Sequence, residues 1–381
     1  MKTILKNSRT RDRVLQGAVL VVTVGILMTF VLTTRHNLLE QGIATGFGFL
    51  ERSTGWPINF SLFEVTANSP YADILLAGLL NTLLVGVLGI SLATVIGVIV
   101  GLMRISDNFV LNLVGTTFVE VFRNVPLILQ VFVWYAVLTH LPSPRQAISV
   151  FDVGYISNRG LIMPSLDMSA LDIILFFIGL GFAGYAIAAA GKTNETLKRH
   201  AWSAFTAVCI VLFLILLFSG RSADAPLVSI PELRGLRFVG GIAIKPEFTA
   251  LLFSIAVFGG AYVGEIVRGG FLSVDKGKIE AARGLGMTAF MVNRFVRIPL
   301  AVRAILPALT NQFIWLMKAT TLGIAIGYPD YFMIVSTSIN QSGQTIELIA
   351  LLMAGFLLIN YVLGFTMNWI NKRLALKGQA S

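Results

Sequence analysis

Long apolar runs, each bounded by clusters of charge, glycine or proline, set the pattern of this chain. A helix rises about 1.5 Å per residue, so about 20 consecutive apolar residues are needed to cross a bilayer. Runs of roughly that size fall near residues 14–33, 74–102, 115–138, 172–190, 202–219, 249–270, 304–326 and 347–370. They predict an all-α integral membrane protein with about eight transmembrane helices. The first run follows Lys2, Lys6, Arg9, Arg11 and Arg13, as a cleavable signal would. Its apolar core is long and no Ala-x-Ala site follows, so it reads as a retained anchor.

Composition agrees: 56% hydrophobic and 13% charged residues exclude a water-soluble fold. A net charge of +10 invites a nucleic-acid reading, but the cations sit between apolar runs rather than on a polar face, so no nucleic acid is expected. They act as topology determinants. One side collects the N-terminal five, Arg104, Lys192, Lys198, Arg199, the dense set from Lys276 to Arg303, and Lys372, Arg373 and Lys377. The positive-inside rule makes that side cytoplasmic, with both termini on it. The other side holds Arg35, Arg52, Arg145, Arg159, Arg221, Arg234, Arg237 and Lys245, while 327–346 carries no Lys or Arg. A six-span alternative without 172–219 keeps the same parity; the trio Lys192, Lys198 and Arg199 favours eight.

Inside the spans, Gly97 with Gly101 and Gly260 with Gly264 form two G-x-x-x-G pairs, suited to close helix approach within the chain or across a dimer. Cys209, the single cysteine, reads as a small hydrophobe. His36, His140 and His200 lie in predicted loops without metal-ligand spacing, and neither a nucleophile triad nor a metal cluster is present.

Ser273–Pro299 is too polar to span and too patterned for a slack loop. Asp275 is placed to cap a short helix carrying Glu280, Ala281, Ala282 and Arg283, which Gly284 and Gly286 then break. Two alanines flanked by a carboxylate and a guanidinium suit insertion into a groove on a soluble partner, with Glu280 and Arg283 setting the register.

This segment resembles the signature of inner-membrane components of ABC importers: E-A-A, three residues, G, nine residues, I-x-L-P. Glu280, Ala281, Ala282 and Gly286 match, followed at the right interval by Val296, Arg297, Ile298 and Pro299. Val296 and Ile298 depart conservatively from Ile and Leu. Further similarity lies at Asn81-Thr82-Leu83, at Glu120 to Leu127 with Gln130, at Gly260 to Gly270, and at Asn311-Gln312-Phe313 with Lys318. Together they resemble the polar amino acid branch over about 74–138 and 248–372. The extra first helix and the inserted helix pair resemble the long subunit of general L-amino acid importers. The resemblance implies a type I importer transmembrane fold, with residues 1–73 forming a tail, anchor helix and periplasmic loop. It implies a permease domain over 74–372, interrupted by an insertion at about 139–247, and a cytoplasmic tail at 373–381. By resemblance, Asp275, Glu280, Ala281, Ala282, Arg283, Gly286 and Pro299 form the coupling element.

Neither G-x-x-x-x-G-K-[ST] nor L-S-G-G-Q occurs, so ATP is expected on a partner chain and no cofactor on this one. A charge at the bilayer centre costs roughly 2.5 to 3.5 kcal/mol on insertion scales and normally faces an interior or a pathway. Asn311, Trp315 and Lys318 share a helix face, and a lysine ammonium suits an amino-acid carboxylate. Gln130 with Trp134 and Glu265 are second-rank positions along such a path. Glu265 with Arg268, and Glu120 with Arg123, are spaced for self-neutralising pairs. The expectation is a permease subunit in the bacterial inner membrane, surrounded by lipid. It would work by alternating access with ABC ATPase subunits, a second homologous permease and a periplasmic amino-acid-binding protein. An ion-coupled secondary transporter would show inverted repeats, and none is seen. A non-transporting scaffold that recruits a soluble ATPase would not need the polar stripe.

Overall fold

The structure, a computed structural model, describes residues 8–40, 46–151, 153–166, 201–219, 228–235 and 237–374, with a few positions between 176 and 186. Helices dominate. They are α1 (Ser8–Glu40), α2 (Tyr71–Arg104), α3 (Phe109–Asn124), α4 (Leu127–Thr139), α5 (Ala201–Ser219) and α6 (Pro246–Leu272). After them come α7 (Lys276–Gly284), α8 (Ala289–Val292), α9 (Ile298–Ala319), α10 (Tyr331–Ser342) and α11 (Thr345–Leu374).

Five helical runs are long and apolar enough to cross a membrane: Val14–Thr34, Tyr71–Arg104, Pro246–Leu272, Ala289–Ile326 and Thr345–Arg373. The bent pair α3 and α4 would make a sixth. The count of eight is therefore not reached among the described residues. The predicted 172–190 run lies outside them apart from those few positions, and 202–219 falls within α5, a 19-residue apolar helix.

One predicted crossing is broken in the middle. The run at 115–138 is two helices that meet at 101°. Pro126 forces its predecessor out of the helical region, and Val125 is extended (φ −87°, ψ 121°). Buried Gln130 bridges the break, its Nε2 donating to the carbonyls of Phe122 at 2.9 Å and Val125 at 3.0 Å. Carbonyls freed by the missing turn thereby regain donors.

At the centre, α2 and α6 pack along a seam of small residues. A methyl on Gly97 would lie 2.4 Å from Val263 Cβ, and one on Gly101 2.7 Å from Val267 Cβ. On the facing helix, Gly260 meets Ile96 and Gly264 meets Val100. The two G-x-x-x-G pairs thus face each other within one chain. Around this pair, α9 and α4 lie on α6, α10 lies on α2, and α11 lies on α9 and α10.

At one end of the bundle, Asn81 Nδ2 donates to the carbonyls of Phe60 and Pro329, both at 2.9 Å. Tyr328 donates to the Asn81 carbonyl at 2.9 Å, and the Tyr331 amide to Thr82 Oγ1 at 2.9 Å. These bonds staple α2 to the loop that leads into α10.

Between α4 and α6 the chain also forms short strands that no apolar run announces. Ile148–Val150, Gly154–Ser157, Gly160–Met163 and Ile242–Ile244 form an antiparallel sheet in that order. Ser157 pairs with Gly160 around a two-residue turn. The last strand feeds directly into α6 through Lys245 and Pro246.

Candidate functional site

α6 ends at Leu272, and a short turn delivers the chain to α7. Asp275 caps it, its Oδ1 accepting from the Gly277 amide at 2.9 Å. Gly286 ends the element in the left-handed region (φ 79°): its amide donates to the Arg283 carbonyl at 2.9 Å, and that of Met287 to Ala282 at 3.2 Å. This paired bonding closes a helix C-terminus and needs a residue tolerant of positive φ. Gly284, expected to help break the helix, is its last member.

The short helix has two faces. Gly277, Glu280, Ala281 and Gly284 point outward and are exposed, while Ala282 is buried against the body. Lys276, Ile279 and Arg283 line a cavity of about 350 Å³ behind the helix. Leu285, Phe290 and Phe295 follow in the chain and are largely exposed. Thr288 caps α8 by accepting from the Met291 amide at 3.4 Å. A π-helical turn at Asn293–Arg297 then leads to Pro299 in the first turn of α9.

Further along α9, Asn311, Trp315 and Lys318 are exposed on one face, as their spacing predicts, and Phe313, Leu316 and Met317 are buried on the other. The Trp315 ring stacks on Phe258 at 5.3 Å and lies 6.5 Å from Tyr262, both on α6. The Arg123 guanidinium sits over Tyr262 at 4.8 Å from its centroid. Cations attract the negative ring face, which draws the end of α3 onto α6. An amide, three aromatic rings and two cations are thereby gathered along α3, α6 and α9.

The other sequence-selected residues divide. Glu265 accepts from Arg268 Nη2 at 2.7 Å and Nε at 3.2 Å, as predicted, and also from Arg104 at the end of α2. Its carboxylate is held by two guanidiniums. The expected Glu120–Arg123 pair does not form: Glu120 accepts from Asn124 at 3.3 Å, and Arg123 turns to Tyr262. Gln130 is buried in the α3–α4 break rather than on the open face, and Trp134 packs on Phe253 at 5.5 Å. Spacing along the chain could not reveal Arg104 as a partner of Glu265, because 161 residues separate them. Phe258 and Tyr262 carried only an aromatic i, i+4 signal.

The sequence profile of the family described as "Binding-protein-dependent transport system inner membrane component" matches residues 93–376. The putative amino-acid ABC transporter permease protein YhdX of Escherichia coli strain K12 is 38% identical over 97% of this chain and 95% of its own length. The general L-amino acid transport system permease protein AapQ of Rhizobium johnstonii is 36% identical over 93% and 91%. Among solved structures, a crystal structure of an amino acid ABC transporter with histidines aligns at a TM-score of 0.49 and 22% identity, over 80% of this chain and 95% of that one. The chain therefore belongs to the inner-membrane components of binding-protein-dependent transport systems: it is the multi-pass permease subunit of an ABC importer, served by a binding protein and driven by a separate ATPase.

Proposed function

We propose that this chain moves L-amino acids from periplasm to cytoplasm, paired with a second, homologous permease subunit. Near full-length identity to two amino-acid permeases supports the substrate class. The single observation that carries the mechanism is the outward face of α7. Gly277, Ala281 and Gly284 leave a shallow surface around Glu280 that a groove on an ATPase would grip. The end of the bundle bearing α7 would be the cytoplasmic one, since the densest Lys/Arg cluster lies there.

Closure of the ATPase would push α7, and α6 and α9 would carry the displacement to the open face of Asn311, Trp315 and Lys318. That face, exposed in this chain, is where the second permease would complete a path. Lys318 has no carboxylate in ion-pair range among the described residues, which leaves its ammonium available to a substrate carboxylate. Residues 74–372 would form the permease domain, with the strands and α5 as its insertion.

The test is ATP-dependent uptake of labelled amino acids by the complete importer in liposomes. Glu280→Ala is expected to abolish uptake while the subunits still copurify, and Lys318→Ala to weaken substrate affinity. Wild-type uptake by Glu280→Ala would refute the coupling role. Unchanged affinity in both Lys318→Ala and Asn311→Ala would refute the path.

A further inference from the structure

We propose that the cavity behind α7 binds a phosphate-bearing anion, the headgroup of an acidic phospholipid of the cytoplasmic leaflet. The inference rests on the orientation proposed above. The cavity, about 350 Å³, is bounded by Lys276, Ile279 and Arg283 from α7, Phe271, Leu272 and Val274 around the end of α6, and Arg297 from the π turn. Asp107, from the loop after α2, is the single carboxylate in the lining. Three cations against one anion leave two positive charges in excess (3 − 1 = 2).

Arg297 makes the case sharper. Its Nε is buried and donates to nothing, while its Cζ sits over the Phe271 ring, 5.5 Å from the centroid. A planar fork of donors held by an aromatic ring matches phosphate oxygens. Arg297 lines the cavity, and a phosphate there would accept from its fork of donors. A solvated basic face, the plainer reading of three cations, does not bury a donor in this way.

Depth points to lipid as the source. The 27 residues of α6 span about 40 Å, the thickness of a bilayer with its headgroups, so Leu272 reaches the headgroup level. Leu272 is 59% exposed beside the cavity, where an acyl chain would begin. Basic pockets at this level on the cytoplasmic side suit anionic headgroups. A headgroup held here would tie α7 to the π turn that starts α9 and to the loop after α2, bracing the element on which the ATPase pushes.

The complete importer, delipidated in detergent, would be titrated with short-chain phosphatidylglycerol and, separately, with inorganic phosphate, with binding read by thermal shift and native mass spectrometry. The expected result is saturable lipid binding at the permease, weakened roughly fivefold by each of Lys276→Gln, Arg283→Gln and Arg297→Gln. Arg373→Gln, which removes a cation at the same end of the molecule, would leave it unchanged. Lys276 is exposed, so its variant remains informative if Arg297→Gln fails to fold. Phosphate that binds alone and displaces the lipid would make free phosphate the source and still support the site. The proposal is overturned if neither probe binds, if the Lys276 and Arg283 variants bind like the wild type, or if Arg373→Gln loses as much. Uptake measured on the same preparation separates the two readings: intact uptake without a lipid site sinks this inference alone.

Discussion

Gly97→Ala tests whether the α2–α6 seam is the mechanical centre of the molecule. Two effects oppose each other. Alanine in place of glycine favours a helix by about 1 kcal/mol. The new methyl, however, would lie 2.4 Å from Val263 Cβ, 2.5 Å from its Cγ1 and 3.0 Å from the Gly260 carbonyl oxygen. Two of those are a branch point and a backbone atom, which cannot swing aside like the tip of a flexible chain. Moving them means parting the helices, and overpacking of this kind costs about 1 to 3 kcal/mol. Net destabilisation of roughly 1 kcal/mol, and at most about 2, is expected. The assay is unfolding of the purified chain in mixed dodecyl maltoside and dodecyl sulfate micelles, with Gly284→Ala as the control because nothing lies within 4 Å of that position. Val263→Gly moves the small residue to the opposite helix, and the double variant should recover at least about 0.5 kcal/mol relative to additivity. Additive effects, or a Gly97→Ala chain as stable as the wild type, would refute the intramolecular seam and return these glycines to a dimer face.

Three further perturbations are expected to give signed results. Burial pushes the Asp330 carboxyl up to about 7 in the loop before α10, against the opposing amide hydrogen bonds from Met333 and Phe332. The folded chain therefore holds this proton more tightly than the unfolded one, so the contribution of Asp330 to stability is full below about pH 4 and is lost as the pH rises to and through about 7. Asp330→Asn keeps a capping side chain and should flatten that slope in thermal unfolding between pH 5 and 8; an unchanged slope would refute the assignment. Gln130→Leu should cost about 1 to 3 kcal/mol by stripping donors from Phe122 and Val125, seen as a lower midpoint of thermal unfolding. Arg104→Ala should be destabilising, and a double-mutant cycle with Glu265→Ala should show a coupling of about 0.5 to 3 kcal/mol; strict additivity would dissolve the proposed cross-link.

What the sequence could reveal followed from periodicity and local chemistry. The spans under α2, α6 and α11 were legible because each is one uninterrupted apolar run. α7 was legible because its cap, its small face and its terminating glycine are all local signals. The α3–α4 bend was not, since hydropathy is blind to direction: Pro126 sits in an apolar window that satisfies a crossing by length alone. The strands at 148–163 and 242–244 escaped for a related reason. They are three or four residues long, and one partner lies some 80 residues from the others, so pairing and not pattern defines them. The Arg104–Glu265 contact and the Arg123–Tyr262 stack are long-range choices between partners. The sequence spacing that correctly paired Glu265 with Arg268 failed for Glu120 and Arg123, because an aromatic ring on α6 competed for the guanidinium.

The same contacts indicate how a push on α7 would travel. α6 runs without a break from the strand at Ile242–Ile244 to the turn before α7, so it works as a rod between the two ends of the molecule. Its seam with α2 is too close to slide: advancing one helix by a residue would drive Val263 or Val267 against the backbone that Gly97 and Gly101 now leave open. Glu265, gripped by Arg104 and Arg268, fixes the register at the end nearest α7. α2 and α6 should therefore move as one body. α9 lies just as close to that body, since Gly270 leaves room for Ile305 and the Ala301 carbonyl, and further along Leu316 packs over Gly259 and Trp315 on Phe258. A tilt of that body would therefore carry α9 with it, and with α9 the face of Asn311 and Lys318.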